Sequence, residues 1–289
     1  MQATTTFLLD VGPNSMVHGF MLTGKFMIAA KKNCLVHRLT TSTGLVKFVN
    51  SHSKYASTSA EYDIMLWDRS QNGPSHILKG HTDHIRTLEL RDGFLFSGAA
   101  DNTVRIWDLA SGECVRVFNH TDYISILTFS PDNALRAGCG GSGHVFIWGW
   151  RTGTLVAERQ AQARQTQLYT NFDGRMITSG LDGCVRVWEQ DGTHLETFTA
   201  HYAPMRGLVK VRRFVVTIRT TDGRIKLWDW GNKTYLTDLK KPVGLIANVT
   251  TGYGRLAVSS WKGSRELHQI QIWDLDEIEK FASRYHLDH

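Results

Sequence analysis

The chain has little proline, little cysteine and no long apolar run. Five Pro among 289 residues leave room for extended regular structure. The four cysteines, Cys34, Cys114, Cys139 and Cys184, form no Cys-x-x-Cys pair. That argues against a zinc ribbon or a disulfide framework, and reduced thiols in a cytoplasmic or nuclear protein are expected. No run reaches 18 apolar residues, so no spanning helix is expected. The opening MQATTTFLLDVGPN lacks a basic n-region, which makes a secretory signal unexpected. On that reading the Asn-x-Ser/Thr matches at Asn119, Asn232 and Asn248 carry no glycan expectation.

Catalytic signatures are missing as well. There is no GxxxxGK[ST], no HExxH and no G-x-S-x-G. Residues 138–143, GCGGSG, match G-x-G-x-x-G, but HVFIW follows, which is a strand pattern. A dinucleotide loop opens a helix, so these glycines read as a turn and no cofactor is expected. His81 and His84 lie close in sequence without a second ligand cluster, and no metal is expected. Lys+Arg 33 against Asp+Glu 27 gives a formal charge of +6, and the pI is 9.2. This mild excess favours acidic partners but is far from a dedicated nucleic-acid stripe.

What the sequence does have is tryptophan in register. Trp67, Trp107, Trp148, Trp188, Trp228 and Trp273 are separated by 40, 41, 40, 40 and 45 residues. Four of them end alternating runs, DNTVRIWD, DGCVRVWE, DGRIKLWD and HQIQIWD. Period-2 alternation with β-branched residues reads as a strand, and Asp-Asn or Asp-Gly ahead of it as a tight turn. Residues 22–52 align without a gap onto 90–120, with Leu39 in place of Trp107, Gly44 on Gly112 and His52 on His120. That adds a seventh unit.

These residues resemble the WD-repeat β-propeller family over nearly the whole chain. The resemblance implies an all-β, seven-bladed propeller in one domain, 1–289. Thr4–Leu9 is expected to complete the last blade and close the ring, which removes an exposed edge. Residues from about 276 to 289 are left as a tail that reads as helical. Leu39 to Trp67 spans only 28 residues, so segment 45–49 can end blade one or begin blade two, but not both. A shortened, three-stranded second blade is the favoured reading.

The family also carries a buried relay of His, Ser/Thr, Asp and Trp, which locks the turns when every polar group is satisfied. By position it is complete in blade three: His81, Ser97, Asp101 and Trp107. Blade four keeps His120 and Trp148, with Gly138 and Ser142 in the other two places. Blade five keeps Thr178, Asp182 and Trp188. Blade six keeps His201, Asp222 and Trp228, with Ile218 at the hydroxyl place. Because these groups recur with the repeat and end on indoles, they read as scaffold rather than as a catalytic triad.

Breaks in the repeat locate the partner-binding candidates. Lys31 and Lys32 replace small residues in blade one. Trp261, Lys262 and Arg265 occupy an enlarged turn in blade seven. Tyr123 and Tyr202 follow His120 and His201. Trp, Tyr and Arg are common interface anchors, so an acidic or phosphorylated peptide is the expected ligand. The family resemblance implies a non-catalytic protein-interaction scaffold or adaptor, acting as a monomer within a larger complex. Terse units such as RDGFLFSGAADNTVRIWD are similar to those of F-box WD-repeat proteins, which raises the role of substrate receptor in a ubiquitin ligase. The nearest match to a W-D-x-R recruitment motif is Trp148-Gly149-Trp150-Arg151. An RNA- or ribosome-associated propeller is the alternative, on the pI alone, and a propeller enzyme ranks below it.

Overall fold

Short alternating runs closed by tight turns can bury side chains on both faces only if each sheet is sandwiched between others. A computed structural model shows successive sheets packed face to face through apolar clusters. It describes residues 5–9, 17–23, 26–31, 49–50, 54–58, 61–68, 74–161, 167–172, 174–211, 213–219, 224–239, 245–252, 255–262, 266–274 and 276–280. The described strands form six four-stranded antiparallel sheets and one two-stranded sheet. The chain divides into two units, Val46–Tyr202 and Met1–Leu45 with Ala203–His289.

The unit Val46–Tyr202 holds four consecutive sheets. The second is Val49–Asn50, Lys54–Thr58, Ile64–Asp68 and Pro74–Leu78. The third is Ile85–Arg91, Phe94–Ala99, Thr103–Asp108 and Cys114–Asn119. The fourth is Ile124–Phe129, Leu135–Cys139, His144–Gly149 and Thr154–Gln160. The fifth is Gln167–Phe172, Arg175–Ser179, Cys184–Trp188 and His194–Thr199. Of segment 45–49 only Val49 is among the described residues, and it departs from the favoured three-stranded reading. Val49–Asn50 pairs with Tyr55 and Ala56 as the first, edge strand of a four-stranded second sheet. The shortening falls on that one strand, which is two residues long.

Successive sheets in this unit meet through apolar clusters. Val104, Ile106 and Phe96 of the third sheet meet Phe129, Leu135, Ala137 and Trp150 of the fourth. One residue along, Leu95 and Trp107 turn to the other face and join Leu66, Leu78 and Ile64 of the second. Every residue of the third strand of the third sheet is therefore buried or half-buried, as a doubly covered strand requires.

The other unit contains the first sheet, Val17–Thr23 with Phe26–Lys31 among the described residues. It also contains the sixth, Met205–Val211, Phe214–Arg219, Ile225–Asp229 and Thr234–Leu239. The seventh is Leu245–Gly252, Arg255–Lys262 and Glu266–Asp274, with Thr5–Leu9 as its outer strand. Thr5 pairs with Ile272 and Leu9 with His268. Phe214, Val216 and Leu227 of the sixth sheet share a core with Leu256, Val258 and Trp273 of the seventh. Residues 276–280 form a short helical turn. The Asp274 carboxylate caps it by accepting the Asp276 N–H at 2.8 Å, and Ile278 closes over the same core.

Two bulges repeat from sheet to sheet. One lies opposite the Trp on the outer strand: Ile106 faces Arg116 and Trp107 faces Cys114, so Val115 is skipped. Val156 and Leu195 are skipped in the same way. The other lies at the second residue of the inner strand, where Arg86 and Ser125 are skipped. A bulge re-aims the side chain it carries.

Candidate partner-binding surface

The third sheet brings His81, Ser97, Asp101 and Trp107 into one directed chain. The Trp107 indole N–H donates to Ser97 Oγ at 2.8 Å. Ser97 Oγ lies 2.6 Å from His81 Nε2, and His81 Nδ1 lies 2.7 Å from Asp101 Oδ2. Asp101 also accepts the Thr82 and Thr103 N–H groups and the Thr103 hydroxyl. Burial lowers the His81 pKa against the opposing pull of Asp101. The imidazole is thus neutral, donating from Nδ1 and accepting at Nε2. Burial raises the Asp101 pKa, but the bonds from Thr103, His81 and Thr82 outweigh it and leave a carboxylate below its ordinary range. The chain ties the loop before the first strand to the turn after the second.

The other sheets hold parts of this chain. In the fifth, Trp188 donates to Thr178 Oγ1 at 2.9 Å. Asp182 accepts the Cys184 N–H and pairs with Arg186 at 2.7 Å. In the fourth, Trp148 Nε1 reaches His120 Nε2 directly at 3.1 Å. Burial pushes the His120 pKa down to about 4, so its Nε2 is free to accept. In the sixth, the hydroxyl is not at Ile218. Trp228 donates to Thr217 Oγ1 at 2.8 Å, Thr217 opposes Lys226 as Ser97 opposes Arg105, and Ile218 is fully buried in the core. The fourth sheet shows the same offset, since Ala137, not Gly138, occupies the Ser97 place opposite Phe146. In both sheets the hairpin turn is one residue longer, so counting ten back from Trp lands one place late. His201 is buried, and Asp222 lies outside the described residues.

The relay presents a row of side chains on the loops of the second, third and fourth sheets. The His84 ring meets the edge of Tyr62 at 5.1 Å. Two residues on, the bulge turns Arg86 outward, and its guanidinium lies over the Tyr123 ring at 4.7 Å. Tyr123 is seated above Gly140, where any Cβ would fall inside its ring. Asp122 fixes the same loop. Burial raises its pKa, yet N–H donation from Ser142, Tyr123 and Gly141 holds the carboxylate below its usual range. Tyr202 stands 96% exposed. Tyr62, His84 and Arg86 carry no repeat signature, and only the inner-strand bulge explains why Arg86 faces out.

The remaining candidates lie in the other unit. Lys31 ends its strand opposite Val17. Trp261 opposes Leu245 and His268, and Lys262 opposes Glu266 at the mouth of the enlarged turn. Lys32 and Arg265 lie outside the described residues. Among the described residues no group of three His, Cys, Asp or Glu could hold a metal ion, and no helix is long and apolar enough to cross a membrane.

Comparison with known proteins agrees with the register. The family described as "WD domain, G-beta repeat" matches residues 72–108, 112–149 and 158–189. An uncharacterized WD repeat-containing protein of Schizosaccharomyces pombe is 24% identical over 237 residues, 75% of this chain and 61% of its own length. Mitochondrial division protein 1 of Saccharomyces cerevisiae is 30% identical over 127 residues, 44% of this chain and 15% of its own. Target of rapamycin complex subunit wat1 of Schizosaccharomyces pombe is 27% identical over 151 residues, 50% of this chain and 48% of its own. The chain thus spans less than two thirds of each of these relatives. A crystal structure of the computationally designed Ika8 protein superposes with a TM-score of 0.73 at 22% identity, covering 89% of this chain and 83% of that one, and shows likeness of fold. Repeated four-stranded sheets, the indole-to-hydroxyl bonds they bury and these matches together support a WD-repeat family, with three repeats matched between residues 72 and 189.

Proposed function

We propose that the chain is a non-catalytic protein-interaction scaffold, built as seven blades closed into a ring by Thr5–Leu9. The observation that carries this reading is the row Tyr62–His84–Arg86–Tyr123. It sets aromatic rings and an outward guanidinium on loops that the relay and Asp122 hold rigid. Rigid aromatic and Arg anchors contribute most of the energy at protein interfaces. Arg86 suits an acidic or phosphorylated peptide. Lys31, Lys32, Trp261, Lys262 and Arg265 remain a second set of candidate contacts on sequence grounds, with Lys31, Trp261 and Lys262 carried by strands of the first and seventh sheets.

One relative is named as a subunit of a complex, which supports a working monomer inside a larger assembly, in the cytoplasm or nucleus. A ubiquitin-ligase role gains no support from Trp148-Gly149-Trp150-Arg151. The Arg151 guanidinium lies over Trp150 at 4.2 Å and pairs with Asp92 at 2.8 Å, a use inside the fold.

The test is cross-linking capture from the native cell with wild type, Arg86→Glu/Tyr123→Ala, and a charge reversal of Lys31, Lys32, Lys262 and Arg265. Loss of the same partners with either variant supports the scaffold reading. Full recovery with both overturns it.

A further inference from the structure

Arg136 lies in the second strand of the fourth sheet, opposite Thr128 on one side and Ile147 on the other. It is among the largest fully buried side chains, at 0% exposure. Its Nη2 donates to the Gln190 carbonyl at 3.3 Å, a long bond. Nε and Nη1 are buried with no hydrogen-bond partner. Among the described residues no carboxylate comes within ion-pair distance, and Asp132 acts on it only as a more distant charge. Burial brings its pKa down to about 10, so it remains a cation at neutral pH.

Arg116 and Arg159 give this geometry its contrast. Each also donates to a backbone carbonyl in the outer turn of the next sheet, Arg116 to Arg151 at 3.2 Å and Arg159 to Gly192 at 3.1 Å. Both are exposed or half-exposed, so their remaining donors are open to solvent. Arg136 has no such access, and a buried unpaired charge is among the most costly groups a fold can hold.

We propose that Arg136 is the receptor for a single carboxylate, an Asp or Glu side chain of a protein partner that enters beside the Gln190–Gly192 turn. The turn closes on itself, Gly192 N–H to Glu189 at 3.1 Å and Glu189 N–H to Thr193 at 2.8 Å. Over Arg136 it is held by one long bond, and Gln190 itself is half-exposed. A carboxylate arriving there replaces the Gln190 carbonyl as acceptor and satisfies a donor that is now empty. One guanidinium matches one monoanion. Among the described residues beside the turn a phosphate dianion would find no second free cation, because Arg159 is bonded to Gly192 and Arg175 lies 3.9 Å from Glu189. The occupant's being a protein rests on the scaffold reading, whereas the carboxylate chemistry does not.

The experiment compares thermal melting of the full chain with N-acetyl-Gly-Glu-Gly-amide and with its Gln counterpart at constant ionic strength. The Glu peptide raises Tm by about 1–2 °C more than the Gln peptide. In Arg136→Met the difference disappears. Arg136→Lys keeps a smaller difference of the same sign, and it carries the readout if the Met variant does not fold. Equal melting of wild type with the two peptides, or a difference that survives Arg136→Met, overturns the proposal. Either result leaves the capture experiment on the Arg86 row unaffected.

Discussion

At the scale of single residues, the indole-to-hydroxyl bond is the recurring unit, and its neighbours decide what it is worth. Ser97 sits between an indole and an imidazole. Ser97→Ala removes a group from a connected chain and strands two buried partners, so it should cost about 2–4 kcal/mol. Thr178→Val removes the acceptor of the Trp188 indole N–H and should cost about 1–2 kcal/mol. Urea unfolding of the two variants gives the comparison; equal losses would mean that His81 and Asp101 add nothing.

His120 supplies a pH dependence. Its folded pKa is about 4, while that of an unfolded histidine is about 6.5. Between these values the unfolded chain binds the extra proton, so stability is full above pH 6.5 and falls as the pH drops toward 4. The slope from this group reaches at most about 1.4 kcal/mol per pH unit. His120→Gln should flatten the Tm profile in that window relative to wild type, read by melting at half-unit pH steps.

The seventh sheet departs in the opposite way. Val258, opposite Gln271, stands where the third, fifth and sixth sheets place the hydroxyl, and Trp273 Nε1 is buried without a partner. Val258→Thr offers one at nearly constant volume. Slowed hydrogen exchange of the Trp273 indole is expected, visible by NMR, with stability changed by about 1 kcal/mol or less.

At the scale of elements, much of the architecture was legible because a 40-residue period with Trp at each strand end leaves little freedom. The Trp register located the third strand of the second through seventh sheets. Turn length was less visible. The turns after Ala137 and Thr217 carry one extra residue, and a count from Trp cannot tell a longer turn from a shifted strand. The second sheet shows the same limit, since two residues, Val49 and Asn50, suffice for its first strand. The site was less legible than the fold. Arg86 looks like any polar residue opening a strand, and its exposure comes from a bulge that pairing, not composition, creates. Arg136 alternates with core residues as an ordinary strand residue would, and only its burial sets it apart. Gly140 belongs to the glycine-rich turn and also makes room for the Tyr123 ring. Gly140→Ala should displace that ring, loosen Arg86 and weaken partner capture while the Trp107 relay stays intact, as judged by unchanged exchange of the Trp107 indole proton.

At the scale of the molecule, the N-terminal strand joins residues more than 250 positions away, Thr5 with Ile272 and Leu9 with His268. Contacts so distant in sequence form late and slowly. A chain lacking residues 1–9 should expose the Glu266–Asp274 edge, unfold at lower denaturant and self-associate, measurable by light scattering at matched concentration. The modest net charge of +6 leaves little electrostatic repulsion to oppose that association.

The outer-strand bulge also sets which apolar side chains reach the surface. Val115, Val156 and Leu195, the skipped residues opposite three tryptophans, are exposed at 52%, 60% and 41%. Exposed apolar side chains on an edge strand favour self-association, and a bulge on that strand opposes edge-to-edge pairing. Solubility can therefore be adjusted at these three positions independently of folding: threonine or lysine there should raise the concentration at which the protein stays dispersed without moving its melting point.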